Sequence, residues 1–241
     1  MYKFTGQFVE KKLYESTGEI NMEMNTIKLL GAAFLFVFVA SLLSESLLKS
    51  VVGSGGISDI LVNISKKTTL LRISILVALI NSLGIVALAS LLYIIFNKQY
   101  PAIALIALGL WLVEAVMLAV SKLGANALIS LSQEFIAARV PETSHFQTLG
   151  NILYSGVDRY GYMLHNLFFS LGGILWYYLF FTSRVIPVLV SGWGLVTVSL
   201  LFISVLLTLY DRKFTPAMVV ALPYLPYEIF LGVWLIVKGF N

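Results

Sequence analysis

The chain has 241 residues, 59% hydrophobic and 12% charged, with a net charge of +4 and a mean hydropathy of +0.92. Soluble domains carry about 25% charged residues, so this composition excludes a water-soluble globule, and the scattered basic residues form no stripe suited to nucleic acid. Cysteine is absent, which removes disulfides, thiolate metal sites and thiol redox chemistry.

The first 26 residues mix Lys3, Lys11 and Lys12 with Glu10, Glu15, Glu19 and Glu23. A signal peptide would place a short apolar core there, so a polar N-terminal segment, residues 1–26, is expected instead. Apolar blocks then follow at about 27–48, 70–96, 100–120, 160–181, 185–210 and 217–240. Each is about 20 residues or longer, enough at roughly 1.5 Å per residue to span a ~30 Å hydrocarbon core as a helix. The predicted fold is all-α: a polytopic membrane protein whose residues 27–241 form a bundle of six transmembrane helices.

Between the first two blocks, Gly53–Thr69 reads as a glycine-broken loop with Lys66 and Lys67 at a membrane edge. Asn63-Ile64-Ser65 fits a glycosylation sequon, a motif too short to carry weight. Asn97-Lys98-Gln99 is a tight link, and Pro101 suits a helix start because its missing N–H would be unbonded there anyway. The longest connection, Ser121–Arg159, places Leu128, Leu131, Phe135 and Ala138 at helical spacing, with Ser130, Gln133 and Glu134 on other faces. An amphipathic helix that continues the third span or lies on the membrane surface is expected, ending at Pro141. Thr182-Ser183-Arg184 and Asp211–Pro216 are short links, the latter with Pro216 at a helix start.

Charges and polar groups inside the spans carry the functional information, since a charge there costs about 3 kcal/mol on insertion scales unless it finds water or a partner. Glu114 lies near the middle of the third block and Glu228 about halfway along the sixth. Glu45 and Arg72 fall at similar depth near the ends of the first two blocks that share a loop. Asp158 and Arg159 open the fourth block on that same side. These positions describe a polar cavity, open on the loop side and ending near Glu114 and Glu228. There the glutamates would serve as cation ligands, proton carriers or hydrogen-bond acceptors. The structural alternative pairs Glu45 with Arg72 near the headgroups and lets Glu228 bond a neighbouring helix.

Pro223 and Pro226 should kink or unwind the sixth block just before Glu228, freeing carbonyls; an ordinary packed kink is the alternative. His165, Asn166 and Asn81 read as cavity polar groups or as helix-to-helix hydrogen bonds. One intramembrane histidine without companions is a poor metal or haem ligand, so no cofactor and no metal are implied. Tyr160, Tyr162, Trp176, Tyr177, Tyr178, Trp193 and Trp234 read as interfacial belts. Gly172 and Gly173 read as sites of close helix contact. No phosphate loop, serine elbow or HExxH sequence is present.

Three segments, LWLVEAVMLAV around Glu114, LFFSLGGILWYYLFFTSRVIP from Leu167 and YEIFLGVWLIVKGF from Tyr227, together with Leu71-Arg72-Ile73, resemble a bacterial membrane family known as domain of unknown function 4386. The resemblance covers about Lys28 to Asn241. It implies six spans and points to Arg72, Glu114 and Glu228, but supplies no activity. Trp111 stands where that family often has arginine, Ser170 where glycine is usual, and His165-Asn166 where small or apolar residues are usual. If an arginine ordinarily pairs with that glutamate, Arg72 is the substitute partner for Glu114.

The reading is therefore a protein of the bacterial cytoplasmic membrane that binds or transports a small ligand or ion through a polar intramembrane cavity. The candidate residues are Glu114, Glu228, Arg72, Glu45, His165, Asn166 and Asn81. A structural or regulatory membrane protein is the alternative, and a lipid-modifying membrane enzyme ranks below both. The partners implied are the lipid bilayer, a small ligand or ion the sequence does not name, and a second copy of the chain as a homo-oligomer. The side with the shortest loops carries both termini, expected to be cytoplasmic.

Overall fold

A computed structural model describes residues 3–138, 145–214, 219 and 222–240, with side chains from Met24 onward. The elements in chain order are α1 (Lys3–Val52), α2 (Ile57–Lys66), α3 (Thr68–Phe96), α4 (Pro101–Ala138), α5 (His145–Asn151), a π-helical segment (Ile152–Arg159), α6 (Tyr160–Ser183), α7 (Val188–Tyr210) and α8 (Tyr224–Val237). No strand occurs among the described residues. Pro141, Pro216 and the start of the sixth block lie outside them.

Six of these helices form a closed ring in the order α1, α3, α4, α6, α7, α8 and back to α1. The segments Met24–Val52, Thr68–Phe96, Pro101–Ala138, His145–Ser183 and Val188–Tyr210 are long and apolar enough to cross a membrane. The sixth, α8, is apolar but has only 14 residues, about 21 Å at the usual helical rise. Its N-terminus is set by proline: Pro223 is the N-cap, and Pro226 stands in the first turn, where a backbone N–H has no partner to lose. The described part of the sixth block is thus a helix that begins at the prolines, not one kinked by them.

Exposed side chains change abruptly along α3. Lys66 and Lys67 just before it, with Thr69 and Arg72 in its first turns, give way to Ile73, Leu76, Leu79, Ile80 and Leu83, continuing to Ile94. Ile73 to Ile94 spans about 33 Å, close to the hydrocarbon thickness of a bilayer. On α4 the exposed apolar face runs from Leu105 to Leu123, and beyond it Asn126, Ser130, Gln133 and Glu134 are exposed. An apolar belt of membrane height therefore girdles the ring. At this same end α7 stops at Tyr210, and Asp211 accepts from the Lys213 ammonium and backbone N–H, which holds its carboxyl below the usual carboxylate range.

Past the belt, on the side where α1 ends and α3 begins, the chain builds a small cap. Residues 57–66, expected as loop, form the helix α2, because Ile57, Ile60, Leu61 and Ile64 recur at helical spacing and Asp59 accepts from the Gly56 N–H at 3.0 Å. α4 continues unbroken through 38 residues, so the amphipathic stretch extends the third span. Leu128 and Leu131 are buried there. Ile60, Leu61 and Ile64 of α2, Leu48, Val51 and Val52 of α1, Leu128 and Ile129 of α4, and Phe146 of α5 close a core separate from the main one. Gln147 Nε2 donates to Ser58 Oγ at 2.7 Å, and Asn63 Nδ2 donates to the Val52 carbonyl at 3.2 Å, so Asn63 terminates α1. The polar N-terminal stretch, expected as a segment of its own, is continuous in backbone with α1.

The main core fills the ring away from the cap. Trp176 and Tyr177 are fully buried in it, contrary to their expected interfacial position, whereas Tyr160, Tyr178 and Trp193 are exposed. Trp111 stacks on Phe169 with ring centroids 6.1 Å apart and meets Trp176 edge-on. Gly172 makes this possible, because a Cβ there would overlap the Trp111 ring. Gly124 does the same for the cap: a Cβ at that position would stand 2.5 Å from the Leu153 carbonyl and 2.9 Å from the Asp158 nitrogen.

Two glycines of one helix should accordingly respond in opposite senses. Gly124→Ala forces α4 off the π segment and is expected to cost about 1–3 kcal/mol. Gly109→Ala meets nothing within 4 Å and should be neutral or stabilising by up to about 1 kcal/mol. Thermal unfolding of both variants in detergent checks the pair.

Candidate functional site

Between the cap and the main core lies a layer of polar side chains. Lys122 Nζ donates to Asp158 Oδ1 at 2.8 Å, with both side chains nearly or fully buried. Arg159 Nε donates to Asp158 Oδ2 at 3.0 Å, and its two terminal nitrogens reach Glu45 at 2.9 and 3.2 Å. Two cations and two anions from α1, α4 and the π segment thus compensate one another. Nearby, Ser74 Oγ donates to the Ser44 carbonyl and Ser44 Oγ to the Ser74 carbonyl, joining α1 to α3. Arg159 and Lys122 also stand over the Tyr162 ring, at 4.9 and 5.7 Å from its centroid. Asp158 faces α4 and its neighbour Arg159 faces α1 from the π-helical segment Ile152–Arg159; such π turns are frequent at functional positions.

Below this layer, inside the ring, is a cavity of about 330 Å³. Asn81 from α3, Glu114 from α4, His165 and Asn166 from α6, and Glu228 from α8 all line it. Its remaining walls are largely apolar, with Phe38, Ile85 and Leu201 beside the rings of Tyr162, Phe169 and Tyr224. Glu114 is 2% exposed and Asn81 1%. The Glu114 Oε2 and Asn81 Oδ1 atoms have no hydrogen-bond partner among the described residues, although buried acceptors ordinarily find one. His165 Nδ1 lies 3.7 Å from Glu114 Oε1 and 3.4 Å from the Glu114 carbonyl oxygen, to which it donates when protonated at that nitrogen. The hydroxyl of Tyr224, whose ring lines the cavity, is 2.6 Å from that of Tyr177.

A second pocket, of about 580 Å³, adjoins the first through Ser41, Leu42, Lys49, Tyr162 and Asn166. Glu45, Arg159 and Arg212 border it at the cap-side edge of the belt. The inner cavity thus continues towards the exposed Lys49 and Arg212.

Of the seven sequence-derived residues, five meet at the inner cavity and Glu45 borders the outer pocket. Arg72 lines neither. It is exposed on α3 where the apolar belt begins, so its long side chain is directed outward at that edge. Glu45 pairs with Arg159 instead of Arg72, and the neighbour of Glu114 is His165. Trp111, at the position where an arginine was expected to serve the glutamate, donates its Nε1–H to the Phe169 carbonyl at 3.1 Å. Lys122 was overlooked as a partner. Its signal was its register: Leu118, Lys122, Ala125 and Ile129 share one buried stripe, and a cation in such a stripe requires an acid on another helix.

Asp158→Asn leaves the Lys122 ammonium buried and unpaired and should cost about 3–5 kcal/mol. The double replacement Lys122→Met with Asp158→Leu should recover most of that loss. Glu45→Gln, at a partly exposed pair, should cost about 1 kcal/mol. Unfolding temperatures of these variants in detergent test the ordering, and an additive loss in the double variant would contradict it. Arg72→Gln should stay within about 0.5 kcal/mol of the parent.

No curated protein and no solved structure matches this chain. A family model does, over residues 29–239, under the description "Domain of unknown function (DUF4386)". That match takes in α1 from residue 29 onward, the other five ring helices whole and all seven sequence-derived residues, and the chain belongs to the DUF4386 family.

Proposed function

We propose that this chain is a six-span membrane protein that binds, and carries across the bilayer, a small ligand or ion held in the cavity between Asn81, Glu114, His165 and Glu228. One observation carries the reading. Polar side chains from four different helices line a single space at membrane depth, and two of their acceptor atoms are buried without a partner among the described residues. A helix bundle that needed these groups only for packing would be expected to pair them with one another, since an unsatisfied buried polar group costs about 1–3 kcal/mol. Intramembrane acids that face a cavity ordinarily mark a substrate or ion path. The outer pocket supplies a route from the cap-side edge.

Counting α8 as the sixth span belongs to the same reading, as does treating residues 27–241 as one transmembrane domain. So does residence in a bacterial cytoplasmic membrane with both termini inside, on the side of the short α3–α4 and α6–α7 links. A structural role is favoured for one part of the polar set. The layer of Glu45, Lys122, Asp158 and Arg159 is internally compensated and reads as a lock between the cap and the ring.

The absence of cysteine makes the reading testable in intact cells. Glu228→Cys and Glu114→Cys are labelled with a membrane-impermeant thiol reagent, beside Ser54→Cys and Gln99→Cys as markers of the two faces. Rapid modification of Glu228→Cys from the face that also modifies Ser54→Cys is expected. A folded Glu228→Cys protein inert from both faces would mean a dry core, and the transport reading would fall.

A further inference from the structure

We infer that the cavity is a site for a small organic ammonium ion with an apolar body. The inference rests on the binding reading above and names its ligand class. The two orphaned atoms, Glu114 Oε2 and Asn81 Oδ1, are both hydrogen-bond acceptors, so they call for a donor. Beside the imidazole of His165, whose Nδ1 faces Glu114, the ionisable side chains at the inner end, Glu114 and Glu228, are both acids. Among the described residues Lys49 is the one Lys or Arg in the inner lining, and it is exposed towards the outer pocket. An anion would meet these carboxyl groups with no lysine or arginine at the inner end to receive it.

A bare metal ion fits poorly. Among the described residues no group of three His, Cys, Asp or Glu side chains could hold one, and hard cations take six or more oxygens. The walls supply what an organic cation uses. Phe169 and Tyr224 present rings beside the acids, and aromatic faces attract ammonium groups. The apolar surround accommodates a hydrocarbon body, and about 330 Å³ lies at the small end of ligand sites. An N⁺–H group can donate to acceptors such as those of Glu114 and Asn81, which a quaternary ammonium cannot.

Three probes of one size and different charge test this on the purified full chain in detergent: phenethylammonium, 2-phenylethanol and phenylacetate. Binding is read by quenching of tryptophan fluorescence and by calorimetry. Phenethylammonium is expected to bind at least tenfold tighter than the alcohol or the carboxylate. Glu114→Gln should weaken it at least tenfold and Asn81→Asp should strengthen it, whereas Glu134→Gln, on the exposed face of α4 beyond the belt, should leave it unchanged. Thermal unfolding certifies that each variant is folded, and the gain in Asn81→Asp keeps the test independent of variants that lose stability. Equal binding of the three probes, or unchanged ammonium binding in both Glu114→Gln and Glu228→Gln, would overturn the inference. If Glu228→Cys labels rapidly yet ammonium does not bind, the wet cavity stands and the ligand class is wrong. If Glu228→Cys is inert, the cavity reading itself fails.

Discussion

Charge compensation in a nearly dry layer is the constraint on which the rest of this bundle depends. Lys122 and Asp158 are within 4% of full burial, and a buried ion deprived of its partner retains a desolvation cost of several kcal/mol. α4 and the π segment must therefore keep Nζ and Oδ1 in contact, and α1 must stay close enough for Glu45 to occupy the free side of Arg159. Helices whose hydrophobic faces alone could slide past one another are thereby fixed in height. The apolar cap core on one side and the aromatic core on the other can each repack, but the plane between them cannot shift without breaking ion pairs.

The cavity owes its shape to the same arrangement. Tyr162 lies under both Lys122 and Arg159 and lines the inner and outer pockets alike, so the layer forms the rim of the space below it. Apolar packing closes the opposite end, where Trp111, Phe169 and Trp176 fill the ring and Gly172 admits the indole. What remains is bounded by a charged rim above and an aromatic floor below, with acids from α4 and α8 facing inward. A space so bounded differs in polarity along its length, as an amphipathic occupant requires.

Sequence alone made the apolar blocks legible, because a run of about 20 apolar residues has few other physical meanings. It also made the set Asn81, Glu114, His165, Asn166 and Glu228 legible, because polar groups stand out against such a background. Pairings were not. Glu45 and Arg72 both lie near a shared loop in chain order, but azimuth around the helix axis decides contact, and Arg72 points outward while Glu45 points to Arg159 of the π segment. Helix α2 was hidden by the glycines that introduce it, although its isoleucines carried the period. That Trp176 and Tyr177 lie in the core instead of at the interface was not legible, because composition does not reveal which aromatic faces the other helices enclose. Within the described part of the sixth block, α8 begins at Tyr224 behind its N-cap Pro223, and the expected start at Ala217 lies outside the described residues.

The unbroken course of α4 has a mechanical meaning. Glu114 and Lys122 are eight residues apart on one helix without proline or π turn between them, so they are about 12 Å apart along a single stiff rod. Anchoring Lys122 in the ionic plane thus fixes the height and azimuth of Glu114 as well. A carboxyl group held by few bonds of its own is kept in register by a distant pair, and any rotation of the cap about the α4 axis turns the acid with it.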